Sequence, residues 1–166
     1  MICLLDGHGE SGFVALKDAV MRCPKAMLTL TVIDSSQPAH HQSSQQWNGC
    51  SITWLGAIDR AAFSTLLHSQ AAWFEPTLVG DDDPALAKEV LSAGLWMLAT
   101  DCSAAADVLQ AARNGDVISS TEHSNWSRVL LRLCRQRPEP EPLIHFPRIQ
   151  PSLSAQLEQL HHRLAL

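Results

Sequence analysis

The chain has 166 residues, 46% of them apolar and 17% charged, and a formal net charge of -5 with His neutral. That length holds one domain with a real core and is short for two. The acidic balance argues against a broad nucleic-acid-binding face and against a polybasic membrane patch, though not against a small anion held by local geometry.

In chain order, residues 2–5 are a short apolar run closed by Asp6-Gly7-His8-Gly9. They predict a buried strand ending in a turn. Residues 13–21 carry Phe13, Leu16 and Val20 at helical spacing and predict a helix, stopped by Pro24. Residues 26–33 are rich in β-branched side chains and predict a second strand. Residues 35–49 are polar and rich in Ser, Gln and His, and read as a loop with at most a weak helix inside. Residues 51–55 read as a third strand, ended by Gly56. Residues 60–69 read as a helix with Asp59 as its N-cap. Residues 71–75 read as a fourth strand and 76–83 as a loop. Residues 84–93 predict a helix opened by Pro84 in its first turn and closed by Gly94. Residues 95–100 predict a fifth strand, and 104–112 a short helix ended by an Asn114-Gly115 turn. Residues 117–118 are a small strand. Residues 125–136 form a helix with Val129, Leu130 and Leu133 on one stripe.

Residues 138–142 (Pro-Glu-Pro-Glu-Pro) cannot be helical and read as an extended spacer. Residues 152–166 read as an amphipathic helix with Leu153, Leu157, Leu160 and Leu164 on one face. The expected division is a Rossmann-like domain over 1–137, a Pro-rich spacer over 138–151, and a terminal helix over 152–166 that packs back on the domain. Strands alternate with helices, and the strands are continuous apolar runs. The expected fold class is therefore α/β, a parallel sheet with helices on both faces. Ligands in such sheets sit beyond the carboxyl ends of the strands.

The five cysteines are odd in number and contain no C-x-x-C pair. Reduced thiols in a cytosolic protein fit that pattern better than a disulfide framework or a zinc knuckle. The first residues carry no basic region and no cleavage site, so no signal peptide is expected. No uncharged apolar stretch reaches the roughly 18 residues that span a bilayer. Trp54, Trp73 and Trp96 fall in strands and read as core. Trp47 and Trp126 fall in less regular stretches and read as open to exposure.

The stretch WLGAIDRAAFSTLLHSQAAWFEPT (residues 54–77) resembles the strand, Leu-Gly turn, helix and strand-Pro-Ser segment of GT4-type glycosyltransferases. KEVLSAGLWMLATDCSAAADVL (residues 88–109) resembles the next part of that family: a helix with Glu, an Ala-x-Gly, an apolar strand, and Thr-Asp before another helix. Asn114-Gly115 matches the family's next turn, and the terminal helix matches the helix with which those enzymes end. The resemblance covers nearly the whole chain but only the carboxyl-terminal, nucleotide-sugar-binding half of a GT-B enzyme. It implies a Rossmann-like fold, a nucleotide-sugar donor and a place in polysaccharide biosynthesis.

The family carries a Glu-x7-Glu acid pair, and Asp81-x7-Glu89 has that spacing here. The resemblance implies Glu89 on the ribose hydroxyls and Asp81 near the transferred sugar. A carboxylate accepts two hydrogen bonds from a vicinal diol, which suits the first task. The competing reading makes Glu89 an exposed mid-helix acid paired with a neighbouring Lys or Arg. Two departures stand out. The family's phosphate-binding Arg and Lys align with Asp6 and Ser11, and anions beside a diphosphate repel it. His8, next to Gly9, is the one group there that partly substitutes, weakly near pH 7. The family's Glu-Gly-Phe-Gly loop, an anion site at a helix N-terminus, reads Asp81-Asp82-Asp83-Pro84 here. The three acids complement the helix dipole but occupy the field that phosphates need. Binding of Mg²⁺ by them is a minor alternative, since metal sites draw ligands from several elements.

Other motifs are weaker. Arg113-Asn-Gly-Asp116 has an R-x-x-D form that its Asn-Gly turn explains. His40-His41 and His161-His162 are adjacent pairs that diverge on a helix, so no metal site is expected. The donor-binding candidates are therefore Glu89, Asp81, Asp82, His8 and Gly9, with no certain catalytic residue and no cofactor beyond the sugar nucleotide. The expected function is a donor-binding domain, inactive alone, that needs an acceptor-binding half or subunit. Its other expected traits are a cytoplasmic setting, no nucleic-acid partner, and membrane contact only through a partner. The alternatives are a non-catalytic interaction module that keeps the fold and, less well supported, a degenerate receiver domain, disfavoured because Asp101 stands where a Lys belongs.

Overall fold

A computed structural model of the chain describes residues 1–5, 10–23, 28–77, 84–111, 114–122 and 124–136. Its elements are β1 (Ile2–Leu5), α1 (Glu10–Arg22), β2 (Thr29–Asp34), β3 (Gln42–Trp47), β4 (Cys50–Leu55) and α2 (Arg60–Ser69). Then come β5 (Ala72–Glu75), α3 (Pro84–Ser92), β6 (Trp96–Thr100), α4 (Ala104–Ala111), β7 (Gly115–Ile118) and α5 (Ser124–Arg135). The strands form one sheet in the order β3-β4-β2-β1-β5-β6-β7. Every neighbouring pair is parallel except β3 with β4. With β3 set aside, this is the doubly wound order of a Rossmann-like sheet, and its topological switch point lies between β1 and β5.

Both sheet faces are apolar because both are covered. Leu30, Val32, Ile52, Phe74 and Leu98 point to one face and pack with Leu16 and Val20 of α1 and Trp126 and Leu130 of α5. Ile33, Trp73, Met97 and Ala99 point to the other and pack with Leu67 of α2, Val90 and Leu91 of α3, and Val108 of α4. Successive strand residues thus feed opposite cores, which is why the strands read as unbroken apolar runs.

The caps behave as their residues dictate. Asp59 Oδ1 accepts the Ala62 amide at 2.7 Å and caps α2. Pro84 opens α3. Gly94, at φ 87°, closes it, with the Leu95 amide donating to the Val90 carbonyl at 3.3 Å and the Gly94 amide to Leu91 at 3.0 Å.

Three expectations need correction. The polar stretch 35–49 is not only loop: it contains β3, which pairs antiparallel with β4 through a two-residue Asn48-Gly49 turn. Both turn residues have positive φ, 45° and 86°, as a tight hairpin turn requires. Only Trp47 of β3 is buried, so the hydrophobic alternation that marks a strand is absent. Trp47 and Trp126 are core residues, 7% and 1% exposed. Trp47 packs on Phe13 and Trp54, and Trp126 on Phe74. Gly115 begins β7 rather than sitting in a turn; a Cβ there would meet the Met97 carbonyl and Leu109. The Pro-rich spacer and the terminal helix lie outside the described residues. Among the described residues, no helix is long and apolar enough to cross a membrane.

Candidate functional site

The carboxyl ends of β2 and β4 and the first turns of α2 and α3 surround a cavity of about 620 Å³. Its apolar wall is Ile33, Ile58, Phe63 and Leu86; its polar groups belong to Ser35, Asp59, Arg60 and Glu89. The loop leading into α2 is held from behind. The Gly56 amide donates to the His41 carbonyl at 2.8 Å, and the Ala57 amide to Gln37 at 3.0 Å. A Cβ on Gly56 would run into the Pro38 carbonyl, so glycine is what lets the two loops touch. Ser36 closes the end of β2, its amide and hydroxyl both donating to Asp34 Oδ1, at 3.0 and 2.5 Å.

Glu89 lies in the second turn of α3, on the side facing α2. Arg60, the first residue of α2, reaches across and places Nη2 3.3 Å from both carboxylate oxygens. The Arg60 side chain is 84% exposed and that of Glu89 is 29% exposed. Glu89 thus lines the cavity at the carboxyl end of the sheet and is ion-paired with an Arg, as the competing reading expected. Its partner is 29 positions away in sequence, so nothing in the local pattern pointed to Arg60.

The switch point lies at the carboxyl ends of β1 and β5. Gly12 of α1 abuts Pro76, just past β5, so closely that a Cβ would overlap the Pro76 carbonyl. The Thr77 carbonyl accepts from the Thr100 hydroxyl and from Cys102 Sγ, the latter at 3.1 Å. Asp101, beyond β6, accepts the Ser120 amide at 2.9 Å, and these Ser120 hydrogen bonds hold its carboxyl below the usual range. Asp6, His8, Gly9, Asp81 and Asp82 lie outside the described residues, as do Asp83, Arg113 and the His161-His162 pair. Ser11 falls in the first turn of α1. Among the described residues no three His, Cys, Asp or Glu side chains gather as a metal site.

No family model and no curated protein matches the sequence. Solved structures do match the fold. WaaG, a glycosyltransferase involved in lipopolysaccharide biosynthesis, superposes with a TM-score of 0.64 at 16% identity, over 81% of this chain and 38% of that one. EarP, which mediates arginine glycosylation of translation elongation factor EF-P, is matched with a TM-score of 0.43 at 15% identity, over 98% of this chain and 60% of that one. The chain thus spans 38% and 60% of the lengths of these two proteins. The fold is that of one Rossmann-like half of a GT-B glycosyltransferase.

Proposed function

We propose that this chain is a nucleotide-sugar-binding domain of the glycosyltransferase type, which transfers sugar only when an acceptor-binding half or subunit completes the cleft. One observation carries the proposal: Glu89, the acid that the resemblance assigns to the ribose, lines a cavity of about 620 Å³ at the carboxyl end of the sheet. The cavity offers an apolar wall for a flat base and a carboxylate for a diol. Arg60 contacts Glu89 through a single nitrogen placed 3.3 Å from both oxygens, an arrangement that a vicinal diol can compete with. Asp81, Asp82, His8 and Gly9 belong to the same proposal as the groups near the sugar and phosphates.

Thermal denaturation in millimolar UDP-, GDP- and ADP-sugars tests it. A ligand at about 100 times its dissociation constant stabilises the fold by about 2.7 kcal/mol. One donor class is expected to raise the midpoint, and Glu89→Ala to abolish that rise. No rise with any donor would eliminate binding by this chain. A rise that survives Glu89→Ala would move the site elsewhere.

A second reading has its own support. Arg60 already engages Glu89, and Asp6 and Ser11 stand where the family has its phosphate cations. Those features favour a non-catalytic interaction module that keeps the fold without the donor, and the same titration separates the two.

A further inference from the structure

β3 replaces a helical crossover between two parallel strands with a hairpin strand, and among the described residues no strand pairs with its outer edge. Its hydrogen bonding can be read residue by residue. The Gly56 amide donates to the His41 carbonyl, and the register pairs Ser43 with Trp54, Gln45 with Ile52 and Trp47 with Cys50. In an antiparallel ladder, bonded and non-bonded pairs alternate. The odd residues of β3 therefore bond inward to β4. The amides and carbonyls of Gln42, Ser44 and Gln46 point outward, away from the sheet. Gln42, Ser44, Gln45 and Gln46 also have exposed side chains.

Open edges are normally blunted by Lys, Pro, bulges or inward-pointing charge. The opposite edge obeys that rule. β7 is four residues long and carries Asp116, held by Arg132 and by the Trp96 indole at 2.9 Å. β3 has six residues, Gln-Ser-Ser-Gln-Gln-Trp, with no charge and no proline. On a chain of net charge -5, such an uncharged edge is a place where two copies meet without setting like charges side by side.

We propose that the outer edge of β3 is an interface with a second copy of this chain, added antiparallel across a two-fold axis at Ser44. That register is chemically self-complementary. Ser44 faces its own mate, Gln42 faces Gln46 of the other copy, and Ser43 faces Gln45. Every facing pair can exchange hydrogen bonds between hydroxyls and carboxamides, and the outward backbone groups of three residues per copy find partners. A two-fold contact of this kind is isologous and closes on itself, so the association stops at the dimer. The interface falls at the small end of specific contacts, so the dimer is concentration-dependent.

The test is sedimentation equilibrium of the full chain over a concentration series, with amide hydrogen exchange on the same samples. The mass is expected to climb toward twice the monomer value. The amides of Gln42, Ser44 and Gln46 should gain protection in step with it. Two variants address the edge without touching the β3–β4 ladder. Ser44→Pro removes an outward N–H, a position where an edge strand tolerates proline. Ser44→Lys sets like charges face to face at the axis on an exposed site. Both are expected to be monomeric with unchanged circular dichroism. Ser44→Lys keeps the test alive should Ser44→Pro fold poorly. A monomer at every concentration up to about 1 mM would overturn the proposal. So would a dimer that Ser44→Lys leaves intact, or one whose β3 amides stay unprotected.

Discussion

Arg60 Nη2 sits 3.3 Å from both carboxylate oxygens of Glu89, joining the first residue of α2 to the second turn of α3 across the mouth of the cavity. The guanidinium is mostly in water, and exposed pairs of this kind contribute about 0–1 kcal/mol. Arg60→Ala and Glu89→Ala are therefore each expected to shift stability by less than about 1 kcal/mol in urea titrations. Under the proposed function, donor binding is expected to vanish in Glu89→Ala while the fold is nearly untouched, so the two are separable at this site. A loss above about 2 kcal/mol in either variant would recast the pair as structural.

Gly12 and Gly49 predict two different costs for the same substitution. At Gly12 the trouble is space: a Cβ would overlap the Pro76 carbonyl, a backbone atom that cannot rotate away. Either α1 or the residues after β5 must shift, and Gly12→Ala is expected to cost about 3 kcal/mol. At Gly49 nothing lies within 4 Å of a Cβ, and the burden is the positive φ of 86° alone. Gly49→Ala is expected to cost about 1–2 kcal/mol. Denaturant midpoints of the two variants should rank in that order, and the reverse order would show that the helix packs more loosely on the switch point.

The apolar runs of β2, β5 and β6 and the caps Asp59, Pro84 and Gly94 were legible because each depends on local chemistry. The parallel sheet follows from them, since strands buried on both faces lose their alternation. β3 was not legible. Its side chains face solvent except Trp47, so pattern alone does not separate it from a loop. The visible signal was Asn48-Gly49, which marks a hairpin turn when strands flank it. Trp126 read as open because it was placed in a less regular stretch, whereas it lies in the first turn of α5 and is buried. At the site, the helix that carries Glu89 was readable, the Asp81 end of its spacing lies outside the described residues, and Arg60 became relevant only when α2 and α3 were packed side by side. A contact between elements far apart in sequence leaves no trace in either one.

Trp126 ties α5 to the sheet. It is 1% exposed, its ring meets Phe74 edge-on with centroids 5.2 Å apart, and its indole N–H donates to the Ser119 carbonyl at 2.8 Å. Trp126→Ala is expected to cost about 3–5 kcal/mol, as large buried aromatics do. Trp126→Phe keeps most of the contact and loses the hydrogen bond, at about 1–2 kcal/mol. Thermal or urea midpoints that fail to separate these variants would mean that α5 is held by something other than this side chain.

Cys23 predicts a loss of stability on the alkaline side. The thiol is 1% exposed at the end of α1, and it donates to the Ser127 carbonyl of α5 at 3.4 Å. Burial, and then the neighbouring Cys134 and Cys50, push its pKa from 9.0 up to about 11. The folded value lies above the unfolded one, so the fold favours the neutral thiol. That contribution is complete below pH 9 and is lost as pH rises through about 11, up to roughly 3 kcal/mol in all. Cys50, also buried, is shifted the same way by its burial and adds to the slope. The chain has no tyrosine, so no phenol titrates in this window to obscure it. Urea unfolding measured across that range should show wild-type stability falling more steeply than that of Cys23→Ala, whatever the starting difference between them. Parallel slopes would mean that Cys23 meets water in the folded chain and that α1 and α5 do not seal against each other at this end of the sheet.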